Sequence, residues 1–68
     1  MSTLTVNGKK RAYAPQTIEE LVASLGLDPG RRGVAVALNR SVLPRAAWAK
    51  TRISPDDAIE IVQPLAGG

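Results

Sequence analysis

The chain contains neither cysteine nor histidine among its 68 residues. These two residue types supply the thiolate nucleophiles, the imidazole bases and many of the metal ligands that enzymes use near neutral pH. Without cysteine, no disulfide can compensate for the small core of a short chain. The sequence therefore argues against a self-contained enzyme, predicts no metal site, and suits a reducing compartment such as the cytoplasm.

Aromatic residues and long apolar segments are also scarce. The only aromatic residues are Tyr13 and Trp48, so a nucleic-acid-binding β domain would lack platforms on which bases stack. The basic run Lys9-Lys10-Arg11 and the net charge of +3 leave such a module open as a less favoured alternative. No segment approaches the roughly 20 apolar residues that cross a bilayer, and the N-terminus does not resemble a signal peptide. We expect a cytoplasmic protein without nucleic-acid or membrane partners.

The length allows one small domain, because a chain of this size buries only roughly 60% of its unfolded surface. The composition places this domain in residues 1–63 and a C-terminal tail in residues 64–68. At the start, Leu4 and Val6 alternate with threonines and are followed by Asn7-Gly8. Asn-Gly favours a type I′ turn, in which both central residues have positive φ. The first two elements are therefore predicted to be a β-hairpin.

The next segment has the signals of a helix. Thr17 and Glu20 have the spacing of a capping box, in which each side chain accepts a hydrogen bond from the other's backbone amide. Gly26 lies where a left-handed helix C-cap is expected. The sequence predicts a helix over residues 18–25, and its apolar stripe has the i, i+3, i+4, i+7 spacing of one buried face: Ile18, Leu21, Val22 and Leu25.

The second half of the chain reads as strands with one short helical turn. Residues 28–33 form a loop without an apolar anchor, and we expect that loop to be mobile. Residues 34–38 predict a central strand, residues 42–43 a short one and residues 58–63 the last one. Trp48 lies in a possible helical turn and is expected to fill the core.

The order ββαβ(β)β predicts an α+β protein with the β-grasp (ubiquitin-like) fold, in which one main helix packs on a mixed sheet of four to five strands. The sheet face away from the helix would be uncovered. It would carry Ala35, Ala37, Glu60 and Val62, a partly apolar surface that a partner protein could cover.

The sequence ends in Gly67-Gly68, preceded by Pro64, Leu65 and Ala66. Two residues without Cβ let a backbone pass through a narrow channel and bring an unhindered carboxylate to the active site of another enzyme. Pro64 would separate the last strand from this tail, because proline cannot donate another strand hydrogen bond. A frayed tail without function remains the alternative, since termini are often small and polar.

Several segments together resemble the ThiS/MoaD family of ubiquitin-like sulfur carriers, and most of all its thiamine-biosynthesis branch. The resemblance covers the whole chain. Its segments are Gln16-Thr17-Ile18-Glu19-Glu20-Leu21, Val36-Ala37-Leu38-Asn39, Val42-Leu43-Pro44-Arg45 with Trp48, Asp57-Ala58-Ile59-Glu60-Ile61-Val62, and Gly67-Gly68.

The resemblance implies a protein substrate and sulfur carrier rather than an enzyme. A ThiF-like adenylating enzyme would use ATP and Mg to adenylate the carboxylate of Gly68, and this chain would bind no cofactor of its own. A persulfide donor such as a cysteine desulfurase would then supply sulfur. The resulting thiocarboxylate would pass sulfur to a ThiG-like thiazole synthase, with Leu65, Ala66 and Gly67 as the tail that enters the partner's active site.

Other recipients stay open within the same carrier chemistry: molybdopterin synthase, a cysteine-forming sulfhydrylase, tRNA thiolation, or conjugation to protein lysines as a ubiquitin-like modifier. The sequence suggests a partner surface that includes Arg45, Glu60 and Val62. It also departs from the family at the turn before the last strand, where Asp56-Asp57 follows Pro55 and a Gly-Asp pair is usual. This difference leaves the geometry of that turn open.

Overall fold

The computed structural model describes residues 2–30 and 32–63. The described chain forms five strands, one α-helix and one short 3₁₀ helix. In chain order these are β1 (Thr3–Val6), β2 (Lys9–Ala12), α1 (Ile18–Ser24), β3 (Ala35–Leu38), β4 (Ser41–Leu43), the 3₁₀ helix (Arg45–Ala47) and β5 (Ala58–Val62).

The five strands form one mixed sheet in the order β2-β1-β5-β3-β4. The last strand, β5, lies between β1, to which it is parallel, and β3, to which it is antiparallel. The two hairpins, β1-β2 and β3-β4, form the outer parts of the sheet. This arrangement confirms the predicted β-grasp fold, and the sheet has five of the predicted four to five strands.

The two hairpin turns have the same backbone conformation but different sequences. Asn7 and Gly8 have φ values of 52° and 80°, as expected for the type I′ turn predicted there. Asn39 and Arg40 have φ values of 51° and 72°, so the second turn places an arginine where the first has glycine. A side chain in this left-handed region is strained, because its Cβ approaches the following carbonyl oxygen.

Introducing glycine into the second turn and removing it from the first should change the free energy of unfolding in opposite directions. Arg40→Gly should raise the free energy of unfolding by about 0.5–1 kcal/mol, because glycine adopts positive φ without strain. Gly8→Ala should lower it by a similar amount, since a Cβ at Gly8 would meet no atom within 4 Å and only the backbone would be strained. Urea denaturation followed by circular dichroism measures both changes. Equal signs for the two variants would contradict this explanation.

Helix α1 begins with the predicted capping box. The Thr17 hydroxyl accepts a hydrogen bond from the Glu20 amide at 3.1 Å, and the Glu20 carboxylate accepts one from the Thr17 amide at 2.8 Å. The helix ends at Ser24, one residue earlier than predicted, and Leu25 is its C-cap. Gly26 follows with a φ of 83°, the left-handed conformation expected after a helix.

The capping box also makes Glu20 a source of acid sensitivity. The hydrogen bond from the Thr17 amide, then the Thr17 side chain and the charge of Arg52, lower the pKa of Glu20 from its ordinary value of 4.5. A carboxylate whose pKa is lowered in the folded state stabilises the fold when the pH is above its ordinary, unfolded pKa. This contribution is lost as the pH falls through the folded pKa.

At pH values below 4.5, the ordinary pKa of Glu20, we therefore expect the melting temperature of the wild type to fall with decreasing pH more steeply than that of Glu20→Gln. Glu19→Gln removes the neighbouring carboxylate, which is outside the capping box, and should keep the wild-type steepness. Thermal melts recorded by circular dichroism across this pH range measure the difference. Parallel curves for the wild type and Glu20→Gln would refute the assignment.

The core lies between the helix and one face of the sheet. Trp48 is 1% exposed, as expected for a core residue, and its indole Nε1 donates a hydrogen bond to the Leu43 carbonyl at 3.0 Å. Both needs of a buried tryptophan, apolar contact and a hydrogen-bond acceptor, are met. The buried hydrophobic residues are Leu4, Val6, Ile18, Leu21, Val22, Val34, Val36, Trp48, Ile53, Ile59 and Ile61.

The loop after the helix has an anchor that the sequence pattern did not indicate. The guanidinium of Arg45 donates hydrogen bonds to the carbonyls of Pro29 and Val34, the latter at 3.2 Å. It also lies 4.7 Å from the centroid of the Trp48 ring. Within the loop, the Gly30 amide donates to the Asp28 carboxylate at 2.8 Å. The loop's mobility stays a prediction, but one side chain fastens both of its sides to the core.

Candidate functional site

The residues predicted to carry the chemistry follow directly after the described chain. Leu65, Ala66, Gly67 and Gly68 lie outside the described residues, as does the predicted boundary between residues 63 and 64. The structure instead shows the base of the tail. Strand β5 ends at Val62, and Gln63 is the last described residue. How β5 is held therefore decides how firmly the tail is anchored.

The end of β5 is fixed by the first hairpin turn. The Ile61 amide donates to the side-chain oxygen of Asn7 at 2.7 Å, and the Asn7 amide donates to the Ile59 carbonyl at 2.8 Å. Strand β1 ends at Val6, so the Asn7 side chain continues the hydrogen bonding where the strand's own backbone stops. Asn7 thus serves both the turn and the strand that leads to the tail.

The start of β5 is fixed by a second asparagine. The Ala58 amide donates to the side-chain oxygen of Asn39 at 2.9 Å, and the Asn39 side-chain nitrogen donates to the Asp57 carboxylate at 3.1 Å. The same carboxylate accepts a hydrogen bond from the Ser54 amide at 2.7 Å. Side chains from both hairpin turns therefore hold the two ends of β5.

The turn before β5 keeps a left-handed residue despite its departure from the family pattern. Asp56 has a φ of 70°, the conformation that glycine adopts without strain. Its amide donates to the Thr3 carbonyl at 2.7 Å. Asp56-Asp57 therefore provides this conformation and the carboxylate bonded to Asn39 without the Gly-Asp pair.

Two of the three residues predicted for a partner surface lie together. Val62 pairs with Ala35 and Glu60 with Ala37, so the four side chains share the sheet face away from the helix. Val62 is 64% exposed, as expected for an uncovered face. Sequence reasoning missed Val42, which pairs with Ala37 and is 80% exposed. We call Ala35, Ala37, Val42, Glu60 and Val62 the outer face.

Arg45 has a different environment from Glu60 and Val62. Its guanidinium bonds the carbonyls of Pro29 and Val34 and lies over Trp48. These contacts give Arg45 a structural role in holding the loop, and its predicted contact with a partner stays a prediction. The sequence signal for this role was weak, because Arg45 lies 16 and 11 residues from its two acceptors.

A groove of about 440 Å³ lies beside the base of the tail. Lys9, Lys10 and Arg11 from β2 contribute its basic side, and Gln63 also lines it. Its apolar side consists of Val6, Leu25, Leu27 and Ile61. We call this the basic groove. Sequence reasoning noted the run of cations but missed the groove, which needs residues from three separate parts of the chain.

The carboxylates at the helix start and the turn have structural partners. Glu20 belongs to the capping box and Asp57 to the turn before β5. Among residues 2–30 and 32–63, no group of three or more acidic, histidine or cysteine side chains could hold a metal ion. In the same part of the chain, no helix is long and apolar enough to span a membrane.

Comparisons with known proteins agree on one family. The model of the ThiS family matches residues 4–68. The chain is 38% identical over 55 residues to the sulfur carrier protein ThiS of Escherichia coli, covering 81% of this chain and 80% of that protein. It is 36% identical over 66 residues to a thiazole synthase of Paramagnetospirillum magneticum; this match covers 96% of the chain but only 20% of that protein.

A solved structure gives the same result. The crystal structure of the thiamine biosynthesis protein ThiS from Geobacter metallireducens superposes with a TM-score of 0.78 at 33% sequence identity. The match covers 97% of this chain and 99% of the other. The agreement in sequence extends through the diglycine, and the agreement in structure includes the whole sheet and helix. The chain belongs to the ThiS family.

Proposed function

We propose that this protein is a sulfur carrier for the thiazole moiety of thiamine, and that the carboxylate of Gly68 is the group that carries the sulfur. The observation that supports this most is the family match over residues 4–68, which includes Gly67-Gly68. The protein is then a substrate of its partners rather than an enzyme, and it acts in the cytoplasm.

The chemistry needs activation of the terminal carboxylate, because a carboxylate is a poor electrophile. An adenylating enzyme joins the Gly68 carboxylate to the α-phosphate of ATP and releases pyrophosphate. Sulfur from a persulfide then attacks the acyl carbon and displaces AMP. Reductive cleavage of the resulting acyl disulfide by a thiol leaves the thiocarboxylate. ATP and Mg belong to the adenylating enzyme, since this chain has no Gly-rich phosphate loop followed by Lys-Ser or Lys-Thr.

The partners follow from these steps. A ThiF-like enzyme adenylates Gly68, and a persulfide donor such as a cysteine desulfurase supplies the sulfur. A ThiG-like thiazole synthase is the acceptor. The similarity of this chain to one fifth of a thiazole synthase supports that acceptor, since a carrier-like segment and the synthase share one chain there.

The structure supports a division between a fixed body and a reaching tail. Both ends of β5 are held by asparagine side chains, so the point at which residue 63 leaves the sheet is well defined. Five residues follow it, and fully extended they would span roughly 17 Å. That reach is enough to bring Gly68 into an active site while the domain stays outside. The outer face, with Glu60 and Val62, offers a surface on which such an enzyme could rest.

A mass measurement tests the proposal. The protein is incubated with ATP, Mg, a sulfur donor and a ThiF-like enzyme, and its intact mass is recorded. We expect a gain equal to the difference between sulfur and oxygen, and no gain when ATP is omitted. Absence of the gain under conditions that thiolate the Escherichia coli ThiS with its own enzyme would refute the carrier function.

A further inference from the structure

The basic groove has a chemical character that the proposed carrier function does not explain. Its basic side carries Lys9, Lys10 and Arg11, and none of its described lining residues is acidic. All three cations lie on β2, an edge strand whose four residues are exposed. Lys9 and Arg11 lie on the groove's side of β2, since they pair with the buried residues Val6 and Leu4. The groove therefore favours a negatively charged occupant.

The opposite side of the groove is apolar. Leu25 and Leu27, which follow α1, are half-buried against the core, and Val6 and Ile61 are core residues. An inorganic anion or a phosphate would use only the basic side. A peptide segment with acidic side chains and at least one apolar side chain would use both sides, which is the usual composition of a protein interface.

The position of the groove relates it to the tail. Gln63, the last described residue, lines the groove, as does Ile61 of β5. An enzyme that encloses residues 64–68 must therefore approach the protein next to this groove. The surface around the enzyme's channel would then lie near Lys9 and Arg11, which line the same groove as Gln63.

Two acidic residues of the turn before β5 lie far from the basic groove. Asp56 and Asp57 are at the end of the molecule where β1 and β5 both begin, since the two strands are parallel. The basic groove is at the other end, where β5 leads into the tail. An acidic surface that approaches the groove would therefore not be repelled by Asp56 and Asp57.

We propose that the basic groove is a docking site for an acidic segment, with an apolar side chain, on the rim of the channel through which the adenylating enzyme receives the tail. This inference rests on the proposed carrier function. The cations raise the rate of productive encounter, and the apolar side retains the segment while Gly68 reacts.

A charge-reversal experiment tests this proposal. Lys9→Glu/Arg11→Glu changes two groove cations that lie on an exposed edge strand, so the fold should persist. The control, Arg40→Glu/Lys50→Glu, changes two exposed cations that do not line the groove. Arg40 lies in the β3-β4 turn, beside the start of β5. Both variants have a net charge of −1 instead of +3. Circular dichroism and thermal melts confirm that both are folded.

The measured quantities are kcat and KM for the carrier in the adenylation reaction with a ThiF-like enzyme. At about 0.05 M salt the groove variant should show a KM raised roughly tenfold or more over the control, with kcat unchanged. At about 0.5 M salt most of this difference should disappear, because screening weakens interactions between exposed charges. Lys9→Gln/Arg11→Gln should give an intermediate KM.

Each other outcome overturns the docking site. Equal KM values for the groove variant and the control would show that the adenylating enzyme does not use the groove. Sedimentation showing that the groove variant alone changes the protein's self-association would make a second copy the occupant. Amide NMR shifts at Lys9 and Arg11 that move when residues 64–68 are deleted would make the protein's own tail the occupant.

The same experiment distinguishes a failure of the docking site from a failure of the proposed carrier function. If the wild type is adenylated and thiolated but the groove variant behaves like the control, only the docking site is wrong. If the wild type is not adenylated by the enzyme at all, the carrier function itself is wrong.

Discussion

Removing Gly68 should abolish thiocarboxylate formation without changing the free energy of unfolding. The deletion moves the reactive carboxylate back along the tail by roughly 3.5 Å. Misplacement of a reacting group by even about 1 Å can cost roughly 100-fold in rate, so we expect a loss of at least that size. The fold should be unaffected, because the buried residues of the described chain lie between Leu4 and Ile61.

The matched control for this deletion is Gly68→Ala, which keeps the length of the tail and adds one Cβ. It should react faster than the deletion variant and more slowly than the wild type, since its carboxylate reaches the active site but is more hindered. Rates come from the intact mass recorded over time, and stability from urea denaturation. Full thiolation of the deletion variant would show that Gly68 is not the reactive residue.

Replacing Trp48 with alanine should remove a large part of the free energy of unfolding. A buried Trp→Ala substitution costs about 3–5 kcal/mol, while a domain of this size has a total stability of roughly 3–10 kcal/mol. The substitution leaves the Leu43 carbonyl without its indole donor and removes the ring beneath Arg45. The loop that Arg45 holds should therefore loosen together with the core.

Two further variants separate the contributions of Trp48. Trp48→Phe keeps most of the apolar contact but leaves the Leu43 carbonyl without its donor, which should cost about 1–3 kcal/mol. Val42→Ala, on the exposed outer face, should stay within about 0.5 kcal/mol of the wild type. Urea denaturation followed by far-ultraviolet circular dichroism measures all three. A loss below about 1 kcal/mol for Trp48→Ala would contradict the role of Trp48 in the core.

Local signals in the sequence were sufficient for much of the fold. The Asn7-Gly8 turn and the Thr17 to Glu20 capping box depend on residues at most three positions apart, and both have the predicted geometry. The core side of β5 followed from its alternating pattern, because alternate residues of a strand face opposite sides of the sheet. The predicted helix was one residue too long, since Leu25 caps the helix instead of continuing it.

The features that the sequence did not reveal depend on contacts between distant residues. Arg45 holds Pro29 and Val34 only because the 3₁₀ helix packs beside the loop. The Ile61 amide reaches the Asn7 side chain across 54 residues of sequence. The basic groove likewise needs β2, the segment just after α1 and the end of β5 together. No short-range pattern indicates such contacts.

The prediction of the candidate site depends on a different kind of signal. Gly67-Gly68 was predicted from the chemistry of residues without side chains, and the lack of cysteine and histidine directed attention to a group that every chain can supply, its terminal carboxylate. The structure adds the anchoring of β5 and the surfaces around the base of the tail. Gln63 connects the two, since it is the last described residue of the domain and directly precedes the predicted tail.

The most direct test of this account is a fragmentation mass spectrum of the protein after reaction with ATP, a ThiF-like enzyme and a sulfur donor labelled with a heavy sulfur isotope. We predict that the labelled sulfur is found only in fragments that contain Gly68, in place of one carboxylate oxygen. Labelled sulfur on any other residue, or none on Gly68 while the same enzyme thiolates another ThiS protein, would contradict the claim that Gly68 carries the sulfur.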